Sequence, residues 1–188
     1  MKNTEVEKKR KLKTIDIAYV GIFAALITVC SWISIPLTVP VTLQTMAVCI
    51  TAGLLGTKKG VLTVISYILL GLIGVPVFAG FSSGVGVLFG ITGGYIIGFI
   101  FTAVIVGLMV KLLGKKIWVY ALSMFLGIAV CYAFGTAWYV IYNNSNGADS
   151  VTVGAALSMC VVPFIIPDIV KIAIATLLCK RLNKYVKA

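Results

Sequence analysis

Between Ile15 and Leu182 the chain consists almost entirely of apolar stretches separated by short loops, and this limits its fold more than any single motif does. One crossing of a bilayer takes about 20 predominantly apolar residues. A chain of 188 residues that is 61% hydrophobic and 11% charged therefore reads as a polytopic membrane protein. Lipid offers backbone N–H and C=O groups no partners, so each crossing segment has to be helical. The expected fold is all-α: one bundle of six transmembrane helices over residues 15–182, with irregular Gly/Pro-rich outer loops. A basic tail at 1–14 precedes it, and a short tail at 183–188 follows. No small-residue cleavage site precedes the next span, so no cleavable signal peptide is expected.

Sixteen basic residues against five acidic ones give a net charge of +11, and their placement says more than their number. Lys2, Lys8, Lys9, Arg10, Lys11 and Lys13 lie in the N-terminal tail. Lys58 and Lys59 share one loop, Lys111, Lys115 and Lys116 another, and Lys180, Arg181, Lys184 and Lys187 close the chain. The loops between carry no Lys or Arg. This alternation is the positive-inside pattern, and it predicts a plasma-membrane protein with both termini cytoplasmic. Nucleic acid is not an expected partner, because binding it needs a contiguous basic face with base-reading side chains.

The chain contains no histidine, which removes the His-dependent hydrolase triads, His-rich zinc sites and the commonest proton-shuttling base. No metal site is expected. Cys30, Cys49, Cys131, Cys160 and Cys179 lie inside apolar segments and read as small hydrophobes. No phosphate-cradling GxxxxGK[ST] loop occurs, so the chain is not expected to be an enzyme with its own ATPase site.

Taken in order, the first span, 15–35, carries Gly21-x-x-x-Ala25 with Ala18 nearby, small residues at a spacing that lets another helix come close. Pro36 and Pro40 frame an outer turn leading to Thr42, Gln44 and Thr45, polar groups at membrane depth. A second span to Leu55 and a third over 61–75 flank the Lys58–Lys59 turn. The least helical stretch follows, from Gly71 to Gly94, with Pro76, Ser82, Ser83, Gly84 and Thr92. Such backbone is tolerated near a membrane only where it is buried in protein or lines a cavity, so it reads as a lid or a carboxylate cradle. The fourth span, 93–113, begins near Tyr95, and the fifth, 117–142, carries Tyr132, Trp138 and Tyr142. Trp138 and Tyr142 read as interface anchors. The last segment starts near Val153 and bends at Pro163 and Pro167, with Pro167 opening a helix.

Within that segment stand two opposite charges, Asp168 and Lys171. Burying either costs roughly 2.5–3.5 kcal/mol even on lenient insertion scales. Three residues apart, they share a helix face with Cβ atoms about 5–6 Å from one another. They can neutralise each other as a plain packing element, or jointly meet a polar ligand.

Four pieces, in order and spacing, resemble the BioY family, the biotin-binding S components of energy-coupling factor (ECF) vitamin transporters. These are Val39-Pro-Val-Thr-Leu-Gln44-Thr45, Gly74-Val-Pro76-Val-Phe-Ala-Gly80, Gly86-Val-Leu-Phe-Gly90-Ile-Thr92-Gly93-Gly94-Tyr95 and Pro167-Asp168-Ile-Val-Lys171. Ile91 stands where the family often has Pro, and Ser82-Ser83 occupy a loop commonly richer in Gly. The resemblance implies a six-helix subunit that captures biotin from outside and works with a transmembrane coupling (T) subunit and two ATPase subunits. It implies no cofactor. Asp168, Lys171, Gln44, Tyr95, Ser82, Ser83, Gly84 and Thr92 would form the site. Asp168 would accept from the ureido N–H groups and Lys171 would donate to the ureido carbonyl, or Lys171 would meet the carboxylate instead. Ala18, Gly21 and Ala25 would dock the coupling subunit. A solitary carrier of biotin or another small acid, without ATPase partners, is the alternative.

Overall fold

The computed structural model of the protein describes residues 13–145 and 151–186. The expected basic tail lies outside the described residues up to Lys13, as does the outer loop around Gly147 and Asp149. Helix α1 spans Thr14–Trp32. Asp16 in its first turn accepts from the Lys13 backbone N–H and pairs with Lys59 at 2.6 Å. The Pro36–Pro40 turn joins two short strands, β1 (Ser34–Ile35) and β2 (Val41–Thr42), paired antiparallel with Ser34 opposite Thr42. This hairpin satisfies backbone groups that a free loop would leave bare near lipid.

Helix α2, Gln44–Leu72, contains one residue outside helical geometry, Gly56, at φ 73° and ψ −179°, a conformation essentially confined to glycine. The chain reverses there. Gln44 Nε2 donates to Tyr67 Oη at 2.6 Å, whereas a straight helix would separate the two residues by about 34 Å at its usual rise. Sequence reasoning puts this turn at Lys58–Lys59. The break falls two residues earlier because only Gly56 accepts that backbone, while lysine is a good helix former and carries the helix onward.

After α2 the chain makes a single 3-10 turn, Ala79–Phe81, and the short α3, Val85–Leu88. Helix α4 (Gly93–Leu113) begins where the fourth span was expected, and α5 runs Ile117–Ser145. Small residues bring these two close: Gly98 meets Cys131, Gly127 meets Thr102 and Val106, and Gly135 lies against the Tyr95 ring. Thr102 Oγ1 crosses the seam to the Gly127 carbonyl at 2.9 Å. The final segment divides into α6 (Val153–Cys160) and α7 (Val162–Leu182). Here Pro163 takes the first turn and Pro167 lies inside the helix. Asp168 is therefore in the second turn of α7, and not beside a helix start as the reading of Pro167 as an opening residue expects.

Five helices, α1, α2, α4, α5 and α7, are long and apolar enough to cross a membrane. The described basic clusters gather at one end of the bundle. Lys59 faces the start of α1, Gly107 packs on Gly56 and Thr57, and Lys115 donates to Asn183 Oδ1 at 2.6 Å. The β1–β2 hairpin, the 74–92 stretch and the starts of α2 and α4 occupy the other end.

Gly56→Ala should lower the melting temperature of the detergent-solubilised protein. Nothing lies within 4 Å of the added Cβ, so the whole cost is backbone strain, about 1–3 kcal/mol. An unchanged melting curve would show that the reversal does not need this geometry.

Candidate functional site

The 2.8 Å ion pair between Asp168 Oδ1 and Lys171 Nζ is the only one among the described residues within the bundle's interior. Both side chains are buried, at 4% and 5% exposure. Two ions so placed are tolerated only if their remaining hydrogen-bonding capacity is used. Tyr132, from α5, donates its hydroxyl to Asp168 Oδ2. Lys171 also reaches Thr45 Oγ1 on α2 at 3.4 Å. An ammonium carries three donors, and these two contacts leave one for a ligand. Phe164 holds the Tyr132 ring edge-on, centroids 6.0 Å apart.

On one side of the pair the bundle opens into two adjoining cavities. The inner one, about 40 Å³, is walled by Thr42, Thr45, Tyr95, Cys131, Tyr132 and Lys171 among others. The outer one, about 300 Å³, shares Val39, Pro40, Thr42 and Tyr95 with it and adds Gln44, Phe78, Ser82, Gly90 and Thr92. The outer cavity thus offers neutral polar groups on apolar walls, and Lys171 supplies the charge at its inner end. Tyr95 is fixed by its contact with Thr136 at 3.3 Å, Gln44 by Tyr67. Thr92 is the N-cap of α4, yet its hydroxyl makes no capping bond.

Of the residues expected from sequence, Gln44, Ser82, Thr92, Tyr95 and Lys171 line these cavities. Asp168 stands behind Lys171, and the space it borders is an apolar groove between α5 and α7. Ser83 and Gly84 lie on the same loop as Ser82, outside the lining, and Ser82 Oγ is turned to the Ala79 carbonyl at 2.7 Å. Sequence reasoning missed Tyr132 and Thr45 as site residues. For Tyr132 the available signal was the row Gly127, Cys131, Gly135, which marks the face of α5 that packs inward. Trp138, expected at a lipid interface, is half-buried and donates from Nε1 to the Gly90 carbonyl at 3.0 Å.

The cavity roof is the 74–84 stretch. Tyr67 Oη and Ser31 Oγ both donate to the Val77 carbonyl, at 3.0 and 2.6 Å. Trp32 Nε1 donates to the Pro76 carbonyl at 2.9 Å. Gly84 N–H closes the loop on the Gly71 carbonyl at 2.7 Å.

A second surface lies outside the bundle. Gly21, Ala24, Ala25, Thr28 and Trp32 of α1 and Leu69, Leu70 and Ile73 near the end of α2 wall an open apolar groove of about 620 Å³. Nothing stands within 4 Å of a Cβ built on Gly21. Ala18 is exposed on the same helix.

Removing one member of the buried pair should cost more stability than removing both. Asp168→Ala should destabilise by about 3–5 kcal/mol, because it strands the lysine. Adding Lys171→Ala to it should restore part of the loss. A melting-temperature cycle on ligand-free protein checks this, and additive losses would argue against coupling.

Comparison with known proteins gives the chain's relatives. The model of the BioY family matches residues 3–188. The biotin transporter BioY of Thermotoga maritima is 42% identical over 165 residues, covering 87% of this chain and 93% of that protein. A probable biotin transporter BioY of Pyrococcus horikoshii is 38% identical, covering 92% and 98%. The crystal structure of the S-component for biotin from an ECF-type ABC transporter superposes with a TM-score of 0.83 at 26% identity, covering 93% of this chain and 95% of that one.

Proposed function

This chain belongs to the BioY family, and on that premise we propose that it captures biotin as the membrane-embedded S component of an ECF-type transporter. The observation that carries this reading is the two-part cavity ending on Lys171, roofed by the 74–84 loop. Biotin has an apolar thioether body, a ureido head with donors and an acceptor, and a carboxylated tail. The head fits the inner end: Lys171 donates to the ureido carbonyl, while Tyr132 and Thr45 are hydroxyls able to serve the N–H groups. Asp168 holds Lys171 and Tyr132 in place and is the nearest acceptor should either yield. The carboxylate lies outward, by Thr92, Ser82 and the start of α4, where the helix dipole favours negative charge. Gln44 and Tyr95 flank the body.

Counting α2 as two short crossings that meet at Gly56 gives six membrane segments. The end bearing Lys59, Lys115 and Arg181 then faces the cytoplasm, and the roofed cavity faces outside. The small-residue groove on α1, with Gly21 and Ala25 in its wall and Ala18 exposed on the same helix, docks the T subunit, which works with two ATPase subunits. Transport energy comes from those partners and not from catalysis in this chain.

Calorimetric titration of biotin into the purified protein should give stoichiometric heat, with a much weaker response from Asp168→Asn and from Lys171→Gln. Biotinamide, which lacks the carboxylate, should lose as much affinity as biotin does on Lys171→Gln. If Lys171 met the carboxylate, the amide would bind the parent weakly and the substitution would leave it unmoved. No heat from a folded parent would sink the choice of ligand.

Gly21→Leu and Ala25→Leu should leave biotin binding intact and abolish co-purification with the T and ATPase subunits, since a bulky side chain fills the groove's open floor. Assembly at the parent's yield would exclude this face as the dock.

A further inference from the structure

Trp32, the last residue of α1, belongs to two places at once. Its ring forms part of the wall of the α1–α2 groove. The same indole stacks on Phe81 of the roof loop, centroids 4.9 Å apart and planes 25° from parallel, and donates to the Pro76 carbonyl. Phe81 is held at φ 57°, the only non-glycine residue at positive φ among those described. Such a conformation costs energy in a bulky residue and persists only where surrounding contacts enforce it. Trp32 covers one face of the Phe81 ring, which stays 62% exposed, and the Phe78 N–H bond to the Ser82 carbonyl closes the turn around it. Around Phe81 the loop forms one compact unit that turns at Gly74, Gly80 and Gly84, all at positive φ. Phe78, Ala79 and Ser82, carried on this unit, wall the outer cavity.

We propose that Trp32 is a latch. Its stack on Phe81 and its bond to Pro76 hold the 74–84 roof closed over the ligand, and a partner seated in the α1–α2 groove frees the roof by displacing the indole. The coupling is reciprocal. A ligand that keeps the roof closed keeps Trp32 on Phe81, and so weakens whatever needs the groove with Trp32 withdrawn. Trp32 thus acts through the loop, as a positioning residue without contact to the ligand. This rests on the reading of the chain as a biotin-capturing subunit that docks its partner through α1.

The test is the rate at which bound biotin leaves the purified protein after a chase with excess unlabelled biotin. Losing one aromatic stack and one hydrogen bond should speed release by about tenfold in Trp32→Ala. Phe81→Ala, which loses the stack and keeps the Pro76 bond, and Trp32→Phe, which keeps the stack and loses the donor, should each fall between the parent and Trp32→Ala. The Trp32→Ala/Phe81→Ala double variant should release no faster than the faster single one, with helix content unchanged in all. Adding the T and ATPase subunits without nucleotide should accelerate release from the parent but not further from Trp32→Ala. Release within twofold of the parent in both single variants, additive effects in the double, or equal acceleration by the partners in parent and Trp32→Ala would each overturn the latch. A parent that binds no biotin at all would instead overturn the reading on which the latch rests.

Discussion

A carboxylate and an ammonium 2.8 Å apart inside a helical bundle impose conditions on everything around them. Each ion must keep a partner for its remaining lone pairs or protons, or the cost of burial is not offset. The chain meets this with three helices: α7 supplies both charges, α5 brings the Tyr132 hydroxyl to Asp168, and α2 brings Thr45 to Lys171. About two turns further along the same seam, Thr176 meets Met124, so α5 and α7 hold one register over that length. Well-packed apolar residues can replace such a pair at little or no cost in stability. Its place at the end of a cavity therefore argues that it is there to present a donor to a ligand, and that the rigidity of three helices serves to aim that donor.

The roof obeys the same rule by other means. Its backbone is irregular, and near lipid an unpaired carbonyl is costly. Side chains from α1, α2 and α5 therefore supply what a helix would have supplied internally. Ser31 and Tyr67 share the Val77 carbonyl, Trp32 takes that of Pro76, and just past the roof Trp138 takes that of Gly90. A loop held by a few discrete bonds differs from one held by a packed core. It can be ordered when closed and still leave as a body when one or two of those bonds break.

Much of this was legible in the sequence because lipid removes options. Span positions, the sidedness of the lysines and the oddness of Asp168 and Lys171 follow from transfer costs that act residue by residue. What was not legible depends on which face of a helix turns inward. In a helix apolar all round, hydrophobicity does not mark the buried face, so Tyr132 read as one aromatic among several. Its orientation is set by Gly127, Cys131 and Gly135, where α4 needs room. The reversal in α2 was placed by charge at Lys58–Lys59, yet backbone geometry places it at Gly56. Pro167 misled in the same way: Pro163 had already taken the helix start, so Pro167 could only sit inside. The β1–β2 hairpin left no signal beyond two prolines, because two-residue strands carry too little pattern to be read.

Below the ion pair the bundle is filled. Tyr120, Met124, Val106 and Cys179 are fully or almost fully buried, and Gly53 is so close to Cys179 and Tyr120 that a Cβ there would crowd both. The cavities end at Lys171 on the side away from the basic end. In this conformation a ligand that enters beneath the roof must leave beneath it, since the floor would have to be unpacked from several large side chains at once. Capture and release then differ only in what holds the roof. The element with a hand on it is α1, whose last turn carries Ser31 and Trp32 and whose outer face, Gly21 and Ala25, stands open for another helix. A single helix thus links the open apolar groove to the loop that roofs the cavity.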